Sequence, residues 1–129
     1  MISVAGLYHI ALPADWESAR ESGTYACSTR GVTLADEGFI HCSRAHQVEA
    51  TANRFYGDVA ELVLLTIDEA ALDAPVVDED LYNTGDTFPH VYGPIPVTAV
   101  VDARTWTPAA DGLFYRENFS RGRRRGRSS

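Results

Sequence analysis

Residues 37–43, EGFIHCS, decide the fold of this chain, because they join a short apolar strand to a polar cluster and the start of a helix. The apolar pair after the glycine predicts a strand that ends near His41. Ser43 is a favoured N-cap residue, so the helix is expected to begin there and to end at Gly57. The residues that mark its apolar face are Ala45, Val48, Ala52 and Phe55.

The regular elements on either side predict an α+β domain. Residues 61–68, ELVLLTID, are apolar on both faces and therefore predict a central strand. Residues 6–12 alternate as a half-buried strand does, and Pro13 suits the first turn of a helix that Gly23 ends. Residues 97–103 predict one more strand.

Five other segments are less regular. Residues 25–34 predict a loop with a short extended piece, residues 69–72 a single helical turn, and residues 76–77 a short strand. The acidic residues 78–80 are expected to be mobile. Residues 88–96 carry three prolines and a glycine, which favour a stiff, irregular segment over a regular strand.

Length and charge bound the domain organisation. The 129 residues are enough for one domain, which we expect to span residues 1–119, followed by a disordered arginine-rich tail at residues 120–129. The chain has a net charge of −7, although five of its eleven basic residues lie in that tail. An acidic body argues against a nucleic-acid-binding face, because phosphate contacts need clustered basic residues. Weak nucleic-acid binding is expected from the tail alone.

The chain carries no sign of export or membrane insertion. It lacks a run of about 18 apolar residues and a basic segment followed by an apolar one at the N-terminus. Its two cysteines, Cys27 and Cys42, form no CxxC pair. We therefore expect a cytoplasmic protein with reduced thiols. The sequence predicts no oligomeric state.

Three histidines lie in apolar segments far apart in the chain: His9, His41 and His90. Each could be a core histidine whose ring nitrogens are satisfied by backbone groups. Imidazole rings among apolar neighbours are nevertheless costly to bury without partners, and strand ends and stiff loops often line pockets. We expect the three to converge on one cleft with Tyr92, where they would meet a small-molecule ligand. His46 is expected to face solvent.

Metal binding and nucleophilic catalysis have weaker support. No HExxH motif is present, and the adjacent His41 and Cys42 point to opposite sides of a strand, so no metal site is predicted. Ser43 is better explained as a helix cap than as a nucleophile, because no GxSxG motif is present. The start of that helix, with Arg44, could instead hold an anion.

Several stretches together carry a resemblance to a known family. These are YHI with the following PADW, EGFIHCS, ANRFY, LLTID and FPHVYGPIP. The set covers residues 7–107 and resembles the bacterial family called domain of unknown function 952. That family is grouped with the ADP-ribosyltransferase-like fold, which implies a split mixed sheet with two main helices and a cleft for NAD or a related ADP-ribose compound.

The resemblance also implies residue roles. A first-strand histidine, here His9, would contact the ribose beside nicotinamide. His41, with Ser43 and Phe39 nearby, would line the nicotinamide pocket. NAD is accordingly the candidate cofactor, bound through His9, Ser43 and Phe39.

The last motif departs from the usual pattern of that fold. His90 and Tyr92 stand where a glutamate is expected, which suits phosphate handling, as in RNA 2′-phosphotransferases, better than ordinary ADP-ribosyl transfer. The predicted catalytic residues are His90, His41 and Tyr92. The function expected first is an NAD- or ADP-ribose-dependent transferase or hydrolase. A non-catalytic nucleotide- or anion-binding module comes second, and a metal-dependent enzyme third.

Overall fold

The computed structural model describes residues 6–81 and 83–116, which form a single α+β domain. The strands are β1 (Leu7–Ala11), β2 (Thr24–Tyr25), β3 (Cys27–Thr29), β4 (Val32–Thr33), β5 (Ile40–His41), β6 (Leu62–Ile67), β7 (Val76–Glu79), β8 (Phe88–Val91), β9 (Ile95–Pro96) and β10 (Val100–Trp106). The helices are α1 (Pro13–Ser22), α2 (Leu34–Glu37) and α3 (Val48–Phe55), with short 3₁₀ helices at Glu69–Ala71 and Val97–Ala99. In the described part of the chain no helix is both long and apolar enough to cross a membrane.

The first sheet is built around β6, as its sequence predicts. It is antiparallel in the order β1-β6-β10. Leu62 and Leu64 pack on one face of β6, with Trp106 and α3, while Leu65 and Ile67 pack on the other. Burial on both faces explains why the strand reads as a continuous apolar run.

The second sheet has the order β5-β8-β7 and holds the centre of the predicted site. Its link to the first sheet is a bridge in which the N–H of Ser43 donates to the carbonyl of Tyr8 at 2.8 Å and that of Tyr8 donates to Ser43 at 2.9 Å. All strand pairs among the described residues are antiparallel. Two smaller sheets pair β2 with β9 and β3 with β4, so the described strands form four antiparallel sheets, and the mixed pairing that the resemblance implies is not found among them.

Two sequence predictions about this sheet are wrong. Phe88–Val91 is a regular strand, paired on both sides, although it contains Pro89. The proline is tolerated because its backbone groups face β5 beyond the last β5–β8 pair, His41 with His90, so its missing N–H removes no hydrogen bond to β7; its carbonyl accepts from Cys42 N–H at 2.9 Å. Residues 78–80 are not a free acidic segment, since β7 runs through Glu79 and the carboxylate of Asp80 accepts hydrogen bonds from later backbone N–H groups.

The prediction that Ser43 caps the central helix is also wrong. Both backbone groups of Ser43 are bonded to Tyr8, so this residue belongs to the sheet, and α3 begins at Val48 after Gln47. The helix α1 does begin at Pro13, and Gly23 ends it with a φ of 91° and an N–H bonded to Ala19. Residues 25–34, expected to be mostly loop, contain three short strands or strand ends.

The segment after β10 returns to the body of the domain. Phe114 is fully buried and packs edge-on against Trp106, with ring centroids 5.3 Å apart. The Asn53 side chain of α3 accepts from Phe114 N–H at 2.7 Å and donates to its carbonyl at 3.0 Å. Leu113 is exposed. Phe119 and the arginine-rich tail lie outside the described residues.

Candidate functional site

A cavity of about 640 Å³ opens between the two sheets and α3. Its inner wall consists of buried or half-buried side chains, which include the polar His9, His41, Ser28, Ser43, Gln47 and Thr51 and the apolar Ile10 and Tyr56. Its outer wall carries exposed groups, which include Arg30, Arg54, Phe55 and Asp86. Both the size and the gradient from buried to exposed are typical of a site for a small organic ligand.

His9 is locked in place by both of its ring nitrogens. Its Nδ1 lies 2.7 Å from the carbonyl oxygen of His41, which can only accept, so Nδ1 carries the proton. Its Nε2 therefore accepts from the Tyr25 hydroxyl at 2.8 Å. Burial lowers the pKa of His9 to about 4, although the hydrogen bond to His41 opposes this. His9 is thus neutral and fixes the backbone at His41.

His41, His90 and Glu79 form a hydrogen-bonded chain across the second sheet. His41 and His90 are directly opposite in the β5–β8 register, and Glu79 lies diagonally from His90 on β7. Side chains so placed lie on one face of a sheet. The Glu79 carboxylate is 3.0 Å from His90 Nδ1, and His90 Nε2 is 3.2 Å from His41 Nδ1. Only His41, at the end of this chain, forms part of the cavity wall.

The carboxylate sets the protonation state of both rings. Hydrogen bonds from Tyr92 and then from His90 lower the pKa of Glu79, so it is ionised and accepts from His90 Nδ1–H. His90 Nε2 then accepts from His41 Nδ1–H, which makes Nε2 the basic nitrogen of His41. Burial, followed by the nearby His90 and His9, lowers the pKa of His41 to about 4.

The structure thus brings the three predicted histidines together but gives them unequal access to the cavity. His90 is fully buried behind His41 and stacks on Phe39, with ring centroids 4.1 Å apart. Phe39 is itself buried, and Tyr92 is partly exposed, with its hydroxyl donating to Glu79. None of these three side chains lines the cavity described above.

Ser43 and His46 do line the cavity, whereas Arg44 does not. Arg44 is bound to Glu69 at 3.1 Å and to Asp78 at 3.0 Å, so the prediction that it helps to hold an anion at a helix start is wrong. The helix begins at Val48, and the Arg44 side chain ties the backbone after β5 to β7 and the turn after β6.

Sequence reasoning missed Glu79, the carboxylate of the hydrogen-bonded chain. It was hidden in the acidic run of residues 78–80, where every residue resembles a solvated charge. The available signal was the two-residue period of β7. Val77 pairs with His90, and Glu79, two residues later, lies on the same face of the sheet. Tyr25 was missed because it lies in a segment with the composition of a loop.

Metal-ligating groups do not cluster around this site. No group of three or more His, Cys, Asp or Glu side chains in residues 6–81 and 83–116 could hold a metal ion. Cys42 is buried in the apolar core, where burial raises the pKa of its thiol. It points away from the cavity that His41 lines, as expected for adjacent strand residues.

The chain is a small α+β domain of antiparallel sheets, with a cavity that His9 and His41 line in part. The family model described as protein of unknown function (DUF952) matches residues 10–103. The chain therefore belongs to that family, which confirms the resemblance. No curated protein matches the chain.

Solved structures of one bacterial protein share this fold. The crystal structure of protein CC0527 from Caulobacter crescentus is 30% identical, with a TM-score of 0.74 over 85% of this chain and 93% of that one. The crystal structure of a double mutant of the same protein is 28% identical, with a TM-score of 0.70 over the same shares. Its solution structure is 30% identical, with a TM-score of 0.67 over 85% of this chain and 91% of that one.

Proposed function

We propose that this protein binds NAD or a related ADP-ribose compound in the cavity and acts on it as a transferase or hydrolase, with His41 as the general base. The observation that carries this proposal is the chain from Glu79 through His90 to His41, which ends at the cavity wall. The arrangement of a base, an orienting group and a carboxylate recurs in enzymes that activate a nucleophile.

In this reaction His41 accepts the proton of the attacking group. A water molecule or acceptor hydroxyl attacks the ribose carbon that bears nicotinamide, the carbon–nitrogen bond breaks, and nicotinamide leaves with the bonding pair. The proton of the nucleophile passes to His41 Nε2, which is buried in the free protein and has to become accessible as the ligand binds. The imidazolium is stabilised because its Nδ1–H donates to His90, which in turn donates to the ionised Glu79.

The other predicted site residues act through His41 in this account. His90 is a positioning residue that holds the His41 tautomer, and Tyr92 holds Glu79. His9 fixes the His41 backbone through its carbonyl. Ser43 lines the cavity beside His41 and would contact the ligand. Phe39 supports the His90 ring rather than the ligand.

The cavity itself supports a ligand of the ADP-ribose class. Its volume of about 640 Å³ lies in the range that suits drug-sized and cofactor-sized ligands. Arg54 on its outer wall suits a phosphate group. The division of the described strands into several small sheets, the two largest of which, β1-β6-β10 and β5-β8-β7, both contribute residues to the cavity, supports the ADP-ribosyltransferase-like grouping.

A non-catalytic binding module is the second candidate, and one observation favours it. Burial lowers the pKa of His41 to about 4, and an imidazole of that pKa is a weak base at neutral pH. Such a ring would serve as a neutral hydrogen-bonding group toward a bound ligand.

Affinity and turnover measured on the same samples separate the two candidates. Binding of NAD and ADP-ribose would be followed by calorimetry, and nicotinamide release by chromatography. We expect wild type to release nicotinamide and His41→Ala to lose about a hundredfold in rate or more with little change in affinity. His46→Ala is the matched control, since His46 also lines the cavity but lies outside the hydrogen-bonded chain. Binding without release supports the binding module, and absence of binding refutes both candidates.

A further inference from the structure

The outer wall of the cavity differs in charge from the rest of the molecule. The chain is acidic, with a net charge of −7. Yet Arg30 and Arg54 both line this cavity, at the end of α3, whereas Asp86 is the carboxylate that lines it among the described residues. An arginine in the wall of a cavity on an acidic protein favours an anionic ligand there, provided that no carboxylate of the protein already pairs with it.

The two arginines differ in how their charge is used. Arg30 is held by Asp58, with nitrogen–oxygen distances of 2.6 and 3.2 Å, and it donates to the carbonyl of Phe55 at 3.1 Å. Its charge is thereby offset, and its role is to fix the end of α3. Arg54 takes part in no salt bridge within residues 6–81 and 83–116. Its guanidinium can therefore pair with a ligand anion.

An aromatic ring accompanies that guanidinium. The guanidinium carbon of Arg54 lies 5.4 Å from the ring centroid of Phe55. Phe55 is 55% exposed, while the opposite side of the same helix is packed into the core. A single exposed phenylalanine is ordinary on a protein surface. Here it is part of a cavity wall beside a cation, which is the pairing that recognises a planar base linked to phosphate.

We propose that Arg54 and Phe55 form an outer subsite that binds a nucleoside diphosphate group, with the diphosphate on Arg54 and the base on Phe55. The ribose at the far end of the ligand then points to the buried end of the cavity, where His41 lies. This orientation rests on the proposed function, because only a ligand with a second ribose reaches both ends. Arg30 positions the subsite by bonding the carbonyl of Phe55.

The negative end of the α3 dipole opposes an anion at this place. The guanidinium outweighs it, because a charge-assisted hydrogen bond to phosphate is stronger than the dipole term at an exposed helix end. Binding at this subsite should therefore depend on Arg54 and weaken with added salt.

Three probes test the phosphate-binding and base-binding parts of the subsite separately and together. They are inorganic pyrophosphate, adenosine and ADP. Their affinities would be measured by calorimetry for the full chain and two variants. We expect Arg54→Gln to weaken pyrophosphate and ADP about tenfold and to leave adenosine unchanged. Phe55→Leu should weaken adenosine and ADP about fivefold and leave pyrophosphate unchanged. Both side chains are exposed, so the variants should keep the melting temperature of the wild type.

Arg20→Gln is the matched control, since it removes an exposed helical arginine on α1 that pairs with Glu17 at 2.8 Å. The proposal is overturned if ADP does not bind, or if Arg54→Gln and Arg20→Gln have the same affinities. It is also overturned if Phe55→Leu weakens all three probes alike. Its failure is distinct from that of the proposed function. If the protein turns NAD over but its affinity for ADP is the same in the Arg54 and Phe55 variants as in wild type, only the subsite is refuted. If the three probes show the expected affinities but NAD is not turned over, only the catalytic function is refuted.

Discussion

Acidification from pH 7 to pH 5 should destabilise this protein because His9 is buried as a neutral ring. Its pKa is about 4 in the folded state, against an ordinary value of 6.5. Between these two values the unfolded chain binds more protons than the folded one, so the free energy of unfolding falls as the pH is lowered through this window. More than about one unit above pH 6.5 the ring is neutral in both states and contributes no pH dependence.

The size of the effect follows from the two pKa values. For a folded pKa of about 4 and an unfolded value of 6.5, His9 alone should remove about 2 kcal/mol of stability between pH 7 and pH 5. His41, with a pKa also lowered to about 4, adds a loss of the same sign. The four carboxylates whose pKa is lowered, Asp58, Glu79, Asp80 and Asp111, lose their protons below this window, so they add little to the loss.

Urea unfolding at half-unit pH steps measures this loss for wild type, His9→Gln and His46→Gln. Glutamine can still donate to the His41 carbonyl and accept from Tyr25, but it does not titrate. We expect His9→Gln to reduce the loss between pH 7 and pH 5 by about 2 kcal/mol, and the exposed His46→Gln to leave it unchanged. An unfolding free energy that is flat over this window in wild type would refute the account of His9 as a buried neutral ring.

Three further predictions test the parts around this site. Glu79→Gln should slow NAD turnover about tenfold or more at unchanged affinity, because the carboxylate that stabilises the protonated His41 through His90 is lost. Asp78→Asn is the control, since Asp78 contacts Arg44 instead, and its steady-state rate should stay that of wild type. Equal rates for the two variants would contradict the role of the hydrogen-bonded chain. Phe39→Ala should lower the free energy of unfolding by about 3 kcal/mol, because it leaves a cavity against His90, while ligand affinity stays within about twofold of wild type. A large loss of affinity would mean that Phe39 contacts the ligand. Phe114→Ala should lower the free energy of unfolding by about 3 kcal/mol in the same assay, because that ring is fully buried. A change near zero would mean that the segment around Phe114 does not pack on the domain.

The local parts of the fold could be predicted from sequence. Pro13 and Gly23 mark the ends of α1 through fixed backbone preferences, and the apolar run at residues 61–68 marks a strand buried on both faces. The start of α3 could not be predicted in the same way. Ser43 suits an N-cap, but its partner is Tyr8, thirty-five residues earlier, and only the folded sheet supplies that contact.

In the candidate site, too, the local features could be predicted from the sequence and the non-local ones could not. The three histidines could be selected because imidazoles in apolar segments need partners. Which of them reaches the cavity depends on register, and the β5–β8–β7 pairing places His90 behind His41. Glu79 depends on the same non-local pairing, since its neighbours along the chain resemble a solvated acidic run. The strand Phe88–Val91 was obscured by Pro89, whose missing N–H lies beyond the end of the β5–β8 pairing and therefore costs the sheet little.

A crystal structure of this protein with ADP-ribose tests the central claim most directly. The account predicts that the terminal ribose lies at the buried end of the cavity, with its anomeric hydroxyl within about 3 Å of His41 Nε2. It also predicts the diphosphate on Arg54 and the adenine on Phe55. A ligand that binds on another surface, or one that places its diphosphate against His41, would contradict the account.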